Sequence, residues 1–204
     1  MHKRPHKTFL LVEDDPNDAF LVELELKNEA PEIRLQWVND GHEAMDYLQG
    51  KPPYTNRNAH PMPDVILLDL RMPRVGGFDF LEWLHSHSPK DFKLIPVIVM
   101  SSSNLEEDVK RAYELGANSY FVKPFHFGAF RERIRLLGIM WGEYVETPRV
   151  GECLISPIVP TTKLEVRSSK QIRNSNFGTP KLTSSNFEFW ICFEFRVSNF
   201  ELYS

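Results

Sequence analysis

Cysteine is scarce: Cys153 and Cys192 are the two in 204 residues, too few for a disulfide framework. Neither sign of charge dominates. With 24 basic against 28 acidic residues the balance is −4, which excludes bulk attraction to nucleic acid or anionic membrane. Long apolar runs are also missing, since no stretch approaches the ~20 residues needed to span a bilayer. No apolar segment follows the basic "MHKRPHK" that would make it a secretory leader. The remaining composition, 42% hydrophobic and 25% charged, is that of a globular protein. A cytoplasmic chain is expected, with one domain plus an addition or two small domains.

Five short apolar runs are present: "TFLLV", "IRLQWV", "DVILLD", "IPVIVM" and "SYFVK". Their continuous rather than alternating hydrophobicity suits strands covered on both faces of a parallel sheet. Amphipathic segments of helical length separate them. The first opens with Asp15 as cap, Pro16 at the first helical position and Asp18 at the positive end of the dipole, with Phe20 and Leu24 on one face. The last, from Phe127, carries Phe130, Ile134, Leu137 and Trp141 along one stripe. Helix follows strand each time, which predicts an α/β fold of the (βα)₅ kind with right-handed crossovers.

Two segments stand outside that alternation. Residues 50–63, "GKPPYTNRNAHPMP", hold four prolines and no hydrophobic period, so they read as a long loop and a candidate contact surface. Beyond about Pro148 the tripeptide Ser-Asn-Phe recurs at Ser175, Ser185 and Ser198, and the stretch from Phe187 to Val197 alternates as a strand would. The domain is therefore read as residues 1–147, with a core of about 7–144, and residues 148–204 as an extension without function of its own, the alternative being an appended β-hairpin that serves as a small output element.

Ligands of an open parallel sheet bind at the carboxyl ends of its strands. Here the first run ends in Glu13, Asp14 and Asp15, the third in Asp69, the fourth in Ser101 and the fifth in Lys123. The stretch "LLVEDDPND" crowds like charges that repel one another unless a cation joins them. An acidic pair after a strand is ordinarily a helix cap, and a lone "KP" ordinarily a loop. All of these features at successive strand ends are hard to obtain by accident. Clustered carboxylates with no cysteine or paired histidine nearby suit a hard cation, Mg²⁺ above all. A carboxylate beside that ion is a competent nucleophile on phosphorus. The metal, the ammonium and the hydroxyl would neutralise the phosphoryl oxygens during transfer.

The motifs "LLVEDD", "ILLDLRMPRVGG", "VIVMSSS" and "YFVKPF" occur in the order of a known family. The region from about Lys7 to Tyr144 resembles the receiver domain of two-component response regulators. That resemblance implies a doubly wound, flavodoxin-like five-stranded sheet of order 2-1-3-4-5 and phosphotransfer from a histidine kinase. By position it makes Asp69 the phosphoacceptor and Asp14 the direct ligand of Mg²⁺ or Mn²⁺, with Glu13 assisting through water. It makes the Arg71 backbone carbonyl a further ligand, Lys123 the phosphate-pairing lysine, Ser101 the switch hydroxyl and Tyr120 the switch aromatic. Pro73 and Gly77 match the turn after the nucleophile. The proline-rich loop, the "DGHEAMDYL" helix and the late tryptophan are similar to small stand-alone regulators partnered with phytochromes, which dimerise and have no DNA-binding domain. A homodimer through the fourth helix, fifth strand and fifth helix is thereby implied. Asp15, Arg71 and the tail depart from that subfamily.

Two rival functions are weaker. A Mg²⁺-dependent phosphohydrolase would place a second acid two residues after the nucleophile, where this chain has Arg71. A transcription factor would need a basic output domain, and the tail offers neither charge nor a recognition helix. Arg71 is expected to project over the phosphorylated Asp69, exclude the hydrolytic water and lengthen the phosphoryl group's life. His85 and His87 lie two apart and cannot share a metal. Trp83 and Trp141 read as packing residues, and His60 as solvated.

Overall fold

The structure is a computed structural model and describes residues 6–145 and 147. The expected extension, residues 148–204 with its repeated tripeptide and alternating segment, lies outside the described residues, as do both cysteines. The chain divides into two units, Met1–Leu154 and Ile155–Ser204, and every described element belongs to the first.

Five strands, β1 (Lys7–Val12), β2 (Ile33–Val38), β3 (Val65–Leu68), β4 (Val97–Ser101) and β5 (Ser119–Val122), alternate with five helices. The helices are α1 (Pro16–Glu29), α2 (Gly41–Gln49), α3 (Gly77–Glu82), α4 (Glu106–Glu114) and α5 (Phe127–Ile139). All strand pairs are parallel and the order is β2-β1-β3-β4-β5, the doubly wound sheet anticipated above. The central strands β3 and β4 are buried along their whole length, whereas the outer strands β2 and β5 mix buried and partly open positions. Burial on both faces is why the central runs carry no polar alternation.

Successive side chains point to opposite faces of the sheet. On one face Leu10, Val12, Ile66, Leu68, Val97 and Val99 join Tyr47 and Leu48 of α2, Phe80 and Leu81 of α3 and Ala112 of α4. On the other face α1 and α5 pack against each other. There Met100 and Phe121 meet Phe130, Ile134 and Leu137 of α5. The predicted stripe of α5, Trp141 included, is buried, and each such side chain contributes roughly 1.5–3 kcal/mol. Trp83 is packed against the first core, so both tryptophans pack as read.

Helix α1 starts as the sequence predicts, with Pro16 at its first position and the Asp15 carboxylate accepting from Asn17 N at 2.8 Å. Its Phe20 and Leu24 do share a face, but that face is open to solvent, with Phe20 60% exposed. The buried side is Ala19, Val22, Glu25 and Leu26. Close packing decides this. A Cβ on Gly138 of α5 would lie 2.9 Å from Leu26 Cδ2, and the buried Glu25 carboxylate accepts from Arg131 Nε of α5 at 2.5 Å. Apolar residues lie on both sides of α1, so periodicity alone cannot choose.

The loop of residues 50–63 is irregular as expected, yet it is pinned at both flanks. Arg57 donates to Tyr47 O and Leu48 O at 2.8 and 2.7 Å, satisfying carbonyls at the end of α2. Arg34 of β2 donates to Asn58 O and Ala59 O. His60 is half-buried rather than solvated: it stands edge-on to Tyr47 and Tyr54 and bonds Gln36 Oε1 at 3.1 Å. The loop is thereby tied to β2 through the Arg34 and Gln36 side chains. His85 and His87 lie exposed in a π-helical turn, Trp83–His87, that follows α3.

Candidate functional site

The strand ends bring the predicted residues together because the sheet ladder continues one residue past the strands. Asp69 N donates to Val12 O at 2.9 Å, Glu13 N to Val38 O at 3.1 Å and Lys123 N to Ser101 O at 2.7 Å. Glu13, Asp14 and Asp69 each offer a carboxylate oxygen within 4.8 Å of the others. Glu13 and Asp69 are buried and Asp14 is exposed, so the cluster has a closed floor and an open mouth. Trp37 Nε1 donates to Glu13 O at 2.8 Å and fixes that floor from β2.

The Lys123 ammonium stands among the acids, 2.6 Å from Glu13 Oε2, 2.9 Å from Asp18 Oδ2 and 3.1 Å from Asp69 Oδ2. With Glu13, Asp14, Asp18 and Asp69 ionised, one ammonium leaves three negative charges uncompensated. Such a site holds protons tightly. Burial raises the Glu13 carboxyl to about 7, outweighing the attraction of Lys123, and the charges of Asp69 and Asp18 add to the rise. Burial alone would lower the Lys123 ammonium, but Glu13, Asp69 and Asp18 together hold its pKa above the ordinary lysine range. An all-oxygen donor set with surplus negative charge fits a hard divalent cation, as the sequence suggested.

The turn after β3 aims Asp69. Arg71 N donates to Asp69 Oδ1 at 3.2 Å, and the chain bends at Leu70 and again over Pro73, Arg74 and Val75. Arg74 takes a left-handed φ of 65°, and its guanidinium pairs with the buried Asp40, the cap of α2. Gly77 N donates to Leu70 O at 3.1 Å, and a Cβ on Gly77 would lie 2.3 Å from Asp69 O. Glycine is needed here for space, because its φ is not left-handed.

Ser101 is fully buried at the end of β4, and its hydroxyl accepts from Ser103 N at 3.2 Å. The Tyr120 hydroxyl donates to Ser103 O at 3.0 Å from β5, with its pKa raised by burial. The Ser103 hydroxyl donates to Asp108 Oδ2 of α4 at 2.5 Å. The Arg71 guanidinium reaches α4, 3.5 Å from Asp108 Oδ2. That carboxylate, already oriented by Ser103, is the counter-charge the arginine reaches.

Two participants went unrecognised in the sequence. In the sequence Asp18 shows as a helix-dipole residue in a crowded acidic stretch, with no sign of its link to Lys123, and nothing there marks Asp108. Asp18 and Lys123 are 105 residues apart, so no local pattern signals their pairing.

The family described as the response regulator receiver domain matches residues 9–135. Response regulator Rcp1 of Synechocystis sp. is 35% identical over 144 residues, covering 71% of this chain and 95% of that one. The crystal structure of the phosphorylated cyanobacterial phytochrome response regulator RcpA is 33% identical with a TM-score of 0.65, over 71% of this chain and 99% of that one. The Mn²⁺-bound form of Rcp1 is 35% identical with a TM-score of 0.64, over 70% and 99% of the two chains.

Proposed function

The chain belongs to the response regulator receiver domain family, and on that premise we propose that it takes one phosphoryl group onto Asp69 from a histidine kinase in a Mg²⁺-dependent reaction. The observation that carries this reading is Asp69 itself, buried, within 4.8 Å of two further acids and 3.1 Å from Lys123 Nζ. One Asp69 oxygen attacks phosphorus. The new O–P bond forms as the N–P bond of phosphohistidine breaks, and the electron pair leaves on the imidazole nitrogen. Lys123 pairs with a phosphoryl oxygen and Ser101 bonds another. Asp14, Asp69 and the Arg71 carbonyl, with Glu13 assisting, would hold Mg²⁺ or Mn²⁺, which supplies charge neutralisation. The chain is thus a phosphoacceptor, catalysing only its own phosphorylation and dephosphorylation.

The likeness to a phytochrome response regulator supports a phytochrome-type kinase as donor. In this reading the Ser101 hydroxyl moves to the phosphoryl group, and Tyr120 enters the space it vacates. The altered face of α4, β5 and α5 then favours a symmetric homodimer. Support comes from β5 being an outer strand on which Tyr120 and Val122 are only half covered. Residues 1–147 would form the receiver and residues 148–204 an extension, with no nucleic acid as partner. Among the described residues no helix is long and apolar enough to cross a membrane, which accords with a cytoplasmic place.

Labelling by acetyl phosphate or a phytochrome-type kinase tests the nucleophile. The wild type should incorporate phosphate only with a divalent ion, and Asp69→Asn should incorporate none. Equal labelling of that variant would overturn the assignment. Sedimentation with and without beryllofluoride tests the dimer, and identical mass in both states would refute phosphorylation-controlled assembly.

A further inference from the structure

Lys123 has one carboxylate partner that stands outside the metal set. Of its three, Glu13 and Asp69 belong to the cluster suited to a divalent ion, and Asp18 does not. A cation held by Glu13, Asp14 and Asp69 draws on two of the carboxylates that Lys123 uses and repels the ammonium. Asp18 is the partner whose attraction is left intact. We propose that Asp18 is a positioning residue, which holds the Lys123 ammonium beside Asp69 when the divalent ion is bound and so presents it to the incoming phosphoryl group. This rests on the reading of Lys123 as the phosphoryl-pairing cation.

The local structure supports a dedicated role. Asp15 and Pro16 already start α1, so Asp18 is not needed as a cap. A first-turn acid offsets the helix dipole wherever it points. That general effect does not require a 2.9 Å contact with an ammonium whose side chain is only 12% exposed. Asp18→Asn keeps the shape of this side chain, which is one-third exposed at 33%, so the change removes charge and spares the packing of α1. Asp18 also gives Lys123 a counter-charge besides Glu13 and Asp69. Without it the ammonium would settle wholly on those two and compete with the metal.

The test is a double-mutant cycle in the full chain with Asp18→Asn and Lys123→Met, folding being checked by circular dichroism. Labelling by acetyl phosphate at saturating Mg²⁺ should fall roughly tenfold in Asp18→Asn, the scale of one charge-assisted hydrogen bond, and Asp18→Glu should recover most of it. In the Lys123→Met background the same change should have no further effect. Mg²⁺ half-saturation, read from tryptophan fluorescence because Trp37 bonds the Glu13 carbonyl, supplies the same cycle without a phosphodonor. It should rise several-fold in Asp18→Asn and shift much less when Lys123 is absent. An undiminished labelling rate in Asp18→Asn, or equal losses in both backgrounds, would overturn the proposal. Unchanged labelling in Lys123→Met alone would instead overturn the reading of Lys123.

Discussion

A methyl group at position 77 has no room, and the consequence is calculable. Its carbon would fall 2.3 Å from Asp69 O, 2.7 Å from Leu70 Cα and 3.1 Å from Asp69 C. All three are backbone atoms, so no side-chain rotation relieves the clash. Overpacking of this kind costs about 1–3 kcal/mol. Separating the segments also weakens the bond from Gly77 N to Leu70 O, worth about 1 kcal/mol. Gly77→Ala should therefore lose about 2–4 kcal/mol, or roughly 5–12 °C in Tm for a chain of this size. Urea unfolding followed by tryptophan fluorescence measures it, as a lowered midpoint with an unchanged slope. Two other glycines calibrate the result. A Cβ on Gly138 would meet Leu26 Cδ2 at 2.9 Å, the far end of a flexible side chain, and one on Gly128 would meet nothing within 4 Å. The losses should rank Gly77 above Gly138 above Gly128, whose alanine variant should match or exceed the wild type. Because the clash pushes on Asp69 itself, Gly77→Ala should also label more slowly. Wild-type stability in Gly77→Ala would refute the close approach and the role assigned to this turn.

Asp14→Ala should keep the fold, lose metal-dependent labelling and melt slightly higher in chelator, since an exposed acid leaves a like-charged cluster; a lower melting temperature would contradict that balance. Arg71 lies 3.5 Å from Asp108 Oδ2, a pairing that competes with any pairing to a phosphoryl group on Asp69. Arg71→Asn should accordingly speed phosphate loss and Asp108→Asn slow it, both followed by decay of the labelled protein; the reverse order would make the arginine catalytic for hydrolysis. Burial pushes the Tyr47 hydroxyl up to about 12, and it donates to Pro61 O at 2.7 Å. A folded pKa above the unfolded value of about 10 gives stability that is complete below pH 10 and is lost as pH rises toward 12. Tyr47→Phe should thus be less stable than the wild type by about 1 kcal/mol at pH 8, with the gap closing by pH 11.5; urea midpoints at both values decide it.

Most of the architecture was legible because it is written in local patterns. The continuous runs of β3 and β4 announce strands with no solvent face, and the Asp15-Pro16 pair starts α1 where the sequence places it. Once the order of strands is known, the site follows, since Ser101 ends β4 and Glu13, Asp69 and Lys123 come one residue after β1, β3 and β5. Periodicity was ambiguous where apolar residues lay on both sides of one helix. Phe20 and Leu24 form as good a stripe as Val22 and Leu26, and only the close approach of Gly138 decides which faces inward.

What the sequence by itself determined is therefore the set of elements, their alternation and the chemical types gathered at the strand ends. These depend on side-chain periods and caps that act over a few residues. Tertiary structure alone decided the pairings among charges, Asp18 with Lys123, Arg71 with Asp108 and Arg74 with Asp40, and the edge-on packing of His60 against Tyr47 and Tyr54. Long, flexible charged side chains find partners by the Coulomb energy of their final positions. Those positions exist only after the sheet has brought distant segments within a few ångströms of one another.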